Sequence, residues 1–293
     1  MTKDDLAALL RRRTPLLSTL QARDVRQLQD HSYHVCAHAK SLFVKWFAKT
    51  DRRGAREIEC YQAVLSGSGP AVPELLDSFA TDEFIVGIWD WLDGPDLRNE
   101  NRARLAEAFA ALGRFHAGYR QDGQTESPIT SRHYSSIPEQ LADEVRLLGF
   151  LDSTVDLARC MELLGVLKLG HLSLNHGDLH PGNVIWAHGT AYIVDWGYAH
   201  QGVGFTDLAY LWDRRVLARC PRDWWVIEGD EAIDCAEAYL DAAGYAHLHV
   251  LTVLHAVMLW AQIWAYSNAL RNGMADDAQL CRQRIKWMLG TGG

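Results

Sequence analysis

The sequence predicts an α+β chain in two lobes, a small β-rich N-lobe followed by a larger, mostly helical C-lobe. Three observations predict it. Short runs rich in β-branched and aromatic residues, separated by polar turns, fill the first 92 residues. A polar, turn-rich break, "DGPDLRNENR", follows at 93–102. Beyond it the apolar residues recur at helical spacing. The divisions are an N-lobe at 1–92, a linker at 93–100 and a C-lobe at 101–293.

Taken in order, residues 4–12 read as a short helix. "RDVRQLQ", "SYHVCAH" and "SLFVKWF" read as three strands. "GAREIECYQAVLSGSG" reads as a helix, because Ile58, Tyr61 and Leu65 fall at i, i+3, i+7 and the glycines behind them are a stop signal. "PELLDSFA" and "EFIVGIWDWL" supply two more strands, so the N-lobe is a five-strand sheet plus one helix. In the C-lobe, "RARLAEAFAALGRFHAGY", "IPEQLADEVRLLGFL" and "STVDLARCMELLGVLKLG" are amphipathic helices. A small β-like island at 183–195 interrupts them. Helices resume at about 206–217, 230–243, 246–271 and 275–288.

Composition narrows the function. With 48% hydrophobic and 23% charged residues, the chain reads as an ordinary soluble globular protein. A formal charge of −8 argues against nucleic acid as the partner. Six scattered cysteines with no CxxC pair argue against a zinc ribbon and a small disulfide scaffold, and suit reduced thiols in the cytoplasm. The opening "MTKDDLAALLRRRTPLL" has acids ahead of its apolar stretch and three arginines inside, unlike a signal peptide. "VLTVLHAVMLWAQIWAY" is too short and too polar for a membrane span and reads as a buried helix.

The chemistry concentrates in "LNHGDLHPGNVIW", residues 174–186. Short polar groups against apolar flanks are costly unless they are paired. The following "GTAYIVDWGYA" completes a hairpin, Val184–Trp186 and Tyr192–Val194 around His188-Gly189, with Asn183 before it and Asp195 after it. The turn brings Asn183 and Asp195 to the same end. An Asn carbonyl and an Asp carboxylate make a hard-oxygen site suited to Mg²⁺, with phosphates as the remaining ligands. Asp178, five residues before Asn183, sits on the loop as a carboxylate able to take a proton from an attacking hydroxyl.

At these residues, "HGDLHPGNVIW" and "YIVDWGYAHQGVGFTDLAYLW", the chain resembles the aminoglycoside phosphotransferase and choline kinase superfamily, small-molecule kinases with a protein-kinase-like fold. The resemblance is specific from about 174 to 212 and extends in layout over nearly the whole chain. It implies that Asp178 is the catalytic base or a substrate-orienting carboxylate, that Asn183 and Asp195 bind magnesium, and that His176 holds the loop. It also implies that Asp207 bonds the catalytic-loop backbone; its place at a predicted helix start independently suggests an N-cap. Only twelve positions separate Asp195 from Asp207, too few for a segment that docks a peptide, so the acceptor is a small molecule.

The N-lobe fits the same picture. Lys45, alone, reads as an edge-strand charge; beside the downstream motif it reads as a phosphate ligand. Its carboxylate partner is Glu57, which shares a helix face with Tyr61 and Val64, while Glu59 is the solvated one. "IWDWLDG" matches the hinge, where backbone groups near Asp90, Trp91 and Leu92 contact the purine; Trp89 and Trp91 wall the pocket or pack the core. The phosphate-covering loop, "LQDHSYH" at 28–34, holds no glycine, although close backbone approach to phosphate usually needs one. Ser32 and His31 are the donors there.

Other features have blander readings. His171, His176 and His180 with Asp178 suggest a metal-dependent hydrolase, but without helical metal-ligand spacing, and the kinase pattern accounts for more residues. Asp230, Asp234, Glu237 and Asp241 form an acidic helix stripe that is a solvated face, or else lines a pocket for an amine. Trp260 and Trp264, at i and i+4, are core packing, or else a cage for a quaternary ammonium. The expected function is a Mg²⁺-dependent small-molecule kinase moving the γ-phosphoryl group of ATP or GTP to a hydroxyl of a small, amine-bearing acceptor such as an aminoglycoside or choline-like compound, with no nucleic acid or membrane partner. The alternative is a kinase-like module that binds nucleotide or ligand without turnover, favoured by the glycine-free loop.

Overall fold

The computed structural model describes residues 2–14, 17–29, 31–37, 40–65, 71–98, 104–119, 154–212 and 227–290. The α-helices there are α1 (Lys3–Arg13), α2 (Arg52–Cys60), α3 (Leu105–Gly118), α4 (Thr154–Leu164), α5 (Gly229–Ala242), α6 (Val250–Arg271) and α7 (Ala275–Met288). The strands are β1 (Val25–Gln29), β2 (Ser32–Ala37), β3 (Lys40–Ala48), β4 (Leu75–Ala80), β5 (Phe84–Asp90), β6 (Leu172–Asn175), β7 (Val184–Ala187), β8 (Thr190–Ile193), β9 (His200–Val203), β10 (Leu211–Trp212) and β11 (Ile227–Glu228). The chain divides into two compact units, residues 1–95 with 185–199, and residues 96–184 with 200–293.

The first unit is built on an antiparallel sheet in the order β1-β2-β3-β5-β4. Alternating burial along β2 and β3 puts Tyr33, Val35, Leu42 and Val44 into a core with Val25, Val86 and Ile88. Helix α1 joins that core through Leu6 and Leu10, so the sheet carries a second helix besides α2. Thr2 and Asp5 close a capping box at its start, and Arg11, Arg12 and Arg13 sit where the helix dipole favours cations. Asp51 caps α2 by accepting from Arg53 N–H. The helix runs on into one π-turn at Tyr61–Leu65, and the predicted stripe of Ile58, Tyr61 and Leu65 is buried.

The β7–β8 hairpin turns through His188 and Gly189, at φ 52° and 75°. Two successive left-handed residues match the twist of a two-residue hairpin turn, and glycine takes the second at no steric cost. Trp186 N–H donates to Pro95 O at 3.0 Å and Ile193 N–H to Ala71 O at 2.9 Å.

In the second unit α3 packs on α5, closely enough that a Cβ on Gly113 would lie 2.5 Å from Tyr239 O. Helix α6 is long and apolar enough to cross a membrane, but 61% of its most apolar window is buried within the protein, as in a core helix. Strands β6 and β9 pair antiparallel and carry the segment between Asn175 and His200. This ladder is not legible in the sequence, since four-residue strands containing His, Gln and Gly show little alternation.

Two predicted helices differ. The one at 206–217 is a 3₁₀ turn, Gly204–Tyr210, leading into β10; positions 213–217 lie outside the described residues. Gly204–Leu208 are all buried, and a fully buried run has no amphipathic period to distinguish helix from other backbone. The one at 153–170 ends at Leu164 and continues as a 3₁₀ turn from Gly165, a poor helix residue. The predicted helix at 137–151 lies outside the described residues.

Candidate active site

In the first unit the site centres on Lys45 in β3. Its Nζ lies 2.8 Å from Glu57 Oε2 and 2.9 Å from Asp195 Oδ1. Strand β3 presents the lysine, α2 presents Glu57, and the segment after β8 presents Asp195. The Glu57 side chain is 4% exposed, whereas Asp195 keeps 48% exposure, so one carboxylate is sealed in and the other reaches the surface. Glu59 is exposed and Glu57 buried, as the helix face demands. Burial works against the charge on Lys45, but Glu57 and Asp195 outweigh it and hold its pKa above that of a free lysine. Burial likewise pushes Glu57 upward, and the ammonium opposes it.

Asp195 adopts the left-handed conformation, φ 64°, ψ 63°, which Asp and Asn tolerate better than other side chains. The 3₁₀ turn it opens, Trp196–Tyr198, is tied to α2. Arg53 donates to Tyr198 OH at 2.9 Å and lies over its ring, while also holding Asp51. Arg53 was not singled out from the sequence; nothing in its exposed helix position marks it.

Ser32 sits directly opposite Lys45 in the β2–β3 ladder. His31 takes φ 68°, the conformation a glycine would ordinarily supply in this loop, and its ring packs edge-on against Trp46 at 4.1 Å. At the end of β5 the Asp90 N–H bonds Glu74 O and the Trp91 N–H bonds Ser41 O. Trp89 is buried among Phe43 and Tyr61 as a core residue. Trp91 stacks on His34 with ring centres 4.2 Å apart.

In the second unit the loop after β6 holds Asp178. Gly177 takes φ 79°, so the loop reverses there at a position only glycine adopts without strain. Asp207 does not cap its own turn, whose N-cap is Val203. Its carboxylate accepts instead from the His176 N–H at 2.7 Å and the Gly177 N–H at 2.8 Å. The 3₁₀ turn starts earlier than the predicted helix, so Asp207 lies inside it and its side chain leaves the local backbone. Burial raises its pKa to about 7 against the pull of these two donors.

His176, fully buried, accepts from Asp178 N–H at 3.2 Å. Asn183 Nδ2 donates to Asp178 O at 2.9 Å, which leaves the Asn183 carbonyl oxygen as the lone-pair donor of that side chain. His180 Nδ1 accepts from Gly182 N–H, and its Nε2 stands 3.8 Å from Asp178 Oδ2. Tyr210 OH donates to Asp178 Oδ1. Beneath the loop, His116 on α3 bonds Leu174 O at 3.1 Å and Tyr239 OH at 2.8 Å. A carbonyl can only accept, so Nε2 carries the proton and Nδ1 receives the tyrosine's. Burial pushes the His116 pKa down to about 3, so its 3.6 Å approach to Asp207 joins a neutral ring to the carboxyl rather than an ion pair. His116 and Tyr210 were not anticipated, though a histidine on the apolar face of α3 was a visible signal.

Among the described residues no cluster of three or more His, Cys, Asp or Glu has metal-holding geometry. Asp230, Asp234, Glu237 and Asp241 are all exposed, as in a solvated face. Trp260 is buried, as core packing requires, while Trp264 is 44% exposed and is not a core residue.

The family described as "Phosphotransferase enzyme family" (APH) matches residues 11–257. No curated protein sequence matches the chain. Among solved structures, the aminoglycoside phosphotransferase APH(4)-Ia is 16% identical, with 99% of each chain covered and a TM-score of 0.61. A thermostable mutant of it, seen with AMP-PNP and hygromycin B, aligns with 16% identity, 99% of each chain and a TM-score of 0.60. Choline kinase LicA from Streptococcus pneumoniae is 15% identical over 98% of this chain and 99% of its own, with a TM-score of 0.58. At these identities the likeness is one of fold.

Proposed function

The chain belongs to the phosphotransferase enzyme family, and on that premise we propose that it is a small-molecule kinase that moves the γ-phosphoryl group of ATP or GTP to a hydroxyl of a small, amine-bearing acceptor in the cytoplasm. The observation that carries this reading is the Lys45–Glu57–Asp195 set: a lysine held charged by a sealed carboxylate and an open one. In phosphoryl transfer the protein's task is positioning and charge neutralisation rather than covalent chemistry.

Lys45 neutralises donor phosphates, with Glu57 fixing its direction. Ser32, facing Lys45 across the ladder, offers a hydroxyl to the same phosphates. The purine is bonded by the Asp90 carbonyl and the Leu92 backbone, because the N–H groups of Asp90 and Trp91 are already engaged. Asp195, exposed, and the carbonyl oxygen of Asn183 are the oxygens offered to Mg²⁺, a donor set that suits a hard cation taking phosphates as its other ligands. When bound, that ion would supply charge neutralisation to the transferring group. Asp178 orients the acceptor hydroxyl and takes its proton. His176 and Asp207 hold the loop that carries it. AMP-PNP and hygromycin B in one neighbour, and a choline kinase as another, support a nucleotide donor and a small amine-bearing acceptor. Thiols unbridged at Cys36, Cys60, Cys160 and Cys281 suit a reducing compartment.

The test is nucleoside-diphosphate release from ATP and from GTP over a panel of aminoglycosides, choline-like amines, sugars and amino alcohols, with magnesium and with a chelator. Acceptor-dependent, magnesium-dependent release supports the reading. Nucleotide binding without release from any acceptor or from water points to the non-catalytic module, which rests on the glycine-free turn at His31.

A further inference from the structure

We propose that Tyr210 is a positioning residue for the reaction, its hydroxyl fixing the carboxylate of Asp178 in the plane from which it meets the acceptor. The inference rests on the reading of Asp178 as the group that takes the acceptor's proton. In that step the acceptor oxygen bonds to the γ-phosphorus. The bond from that phosphorus to the bridging oxygen breaks, and its electron pair leaves with the nucleoside diphosphate. The hydroxyl proton passes to the Asp178 carboxylate.

The backbone of Asp178 is held on both sides, its N–H by His176 Nδ1 and its carbonyl by Asn183 Nδ2. Backbone bonds do not fix the carboxylate, because the terminal torsion of Asp is a broad, nearly two-fold rotor. Tyr210 OH constrains that torsion by donating to Oδ1, a charge-assisted bond to an ionised acceptor. Oδ2 lies on the side of His180 Nε2, 3.8 Å away, and the Asp178 side chain keeps 22% exposure, enough for an acceptor to reach it.

Tyr210 is itself oriented. Its ring stands edge-on to His180 with centres 5.7 Å apart. It ends the 3₁₀ turn Gly204–Tyr210, in which residues three apart lie one above the other. Asp207 and Tyr210 therefore share one side of that turn. The first grips the backbone of His176 and Gly177, and the second grips the side chain of Asp178. One short element thus sets both the path of the loop and the direction of its carboxylate. In "TDLAY" the spacing of the two is the physical signature of that arrangement.

Tyr210→Phe removes only the hydroxyl. Release from magnesium ATP, with water, choline or hygromycin B as acceptor, should show kcat down by about tenfold or more while the nucleotide KM stays within about twofold. In an Asp178→Asn background the same change should cost nothing further, because the two act as a unit. An unchanged kcat beside an inactive Asp178→Asn overturns the proposal alone. Asp178→Asn at the wild-type rate brings down the reading of Asp178 and this inference with it. A second measurement needs no acceptor. The ¹³Cγ resonance that vanishes in Asp178→Asn should move in Tyr210→Phe at constant pH, and a resonance that stays in place overturns the contact.

Discussion

Lys45 Nζ lies 2.8 Å from Glu57 Oε2, and both side chains are largely withdrawn from solvent, at 17% and 4% exposure. A buried pair of this kind is a liability once halved. Lys45→Met leaves the Glu57 carboxylate without its cation and should cost about 3 kcal/mol in urea unfolding. Glu57→Gln keeps a hydrogen-bond acceptor for the lysine and should cost less. Both should weaken nucleotide binding, measured by titration calorimetry; unchanged affinity in Lys45→Met would remove the lysine from the phosphate site.

His116 and Asp207 titrate in opposite senses. His116 has a folded pKa of about 3 against an ordinary 6.5, and Asp207 about 7 against 3.8. Between pH 3.8 and 6.5 the unfolded chain carries the proton on His116 and the folded chain carries it on Asp207, so the pair alone gives little slope. His116→Gln leaves Asp207, whose raised pKa favours the folded state more as pH falls; relative to wild type, stability should rise by about 1.4 kcal/mol for each pH unit of fall. Asp207→Asn leaves His116, whose lowered pKa works the other way, and stability should fall with a similar slope. Urea midpoints across that window would read both signs.

Asp195 carries two separable demands, a charge and a left-handed backbone at φ 64°. Asp195→Asn meets the backbone demand, and Asp195→Ala meets neither. The alanine variant should be less stable than the asparagine variant by about 1 kcal/mol. Both should lose phosphoryl transfer. Equal melting temperatures for the two would contradict the backbone argument.

Two glycines give a control for packing. A Cβ on Gly94 would sit 2.0 Å from Trp186 O, a backbone atom that cannot swing aside. Gly94→Ala should cost about 1–3 kcal/mol. Gly118, at the end of α3 with nothing within 4 Å of its Cβ position, should tolerate alanine or gain from it. Thermal denaturation of the two variants separates collision from backbone entropy.

The strands and helices with a clear local signal were legible in the chain: β2 and β3 alternate in burial, β1, β4 and β5 stand out as β-branched and aromatic runs between turns, and Ile58, Tyr61 and Leu65 mark the inner side of α2. The pairing of Lys45 with Glu57 followed from the helix face that also carries Tyr61. What escaped lies where burial is complete. The turn at Gly204–Tyr210 is buried on all sides over most of its length, so no amphipathic pattern reports its conformation, and with it went the contact of Tyr210; the bonds of Asp207 to the loop backbone agree with the resemblance, but the expected N-cap does not. Strands β6 and β9 are too short to alternate. His116 and Arg53 act through partners distant in sequence, Leu174, Tyr239 and Tyr198, which no local pattern reveals.

The central claim is that Asp178 takes the acceptor's proton. It is tested most directly by the rate of phosphoryl transfer in Asp178→Asn beside wild type, with magnesium ATP and an acceptor that the wild-type protein phosphorylates. The amide keeps the side chain's shape and Tyr210's hydrogen-bond partner but cannot serve as base. The account predicts a fall of about a hundredfold or more in kcat with an unchanged melting temperature. Transfer within a few fold of wild type would contradict it.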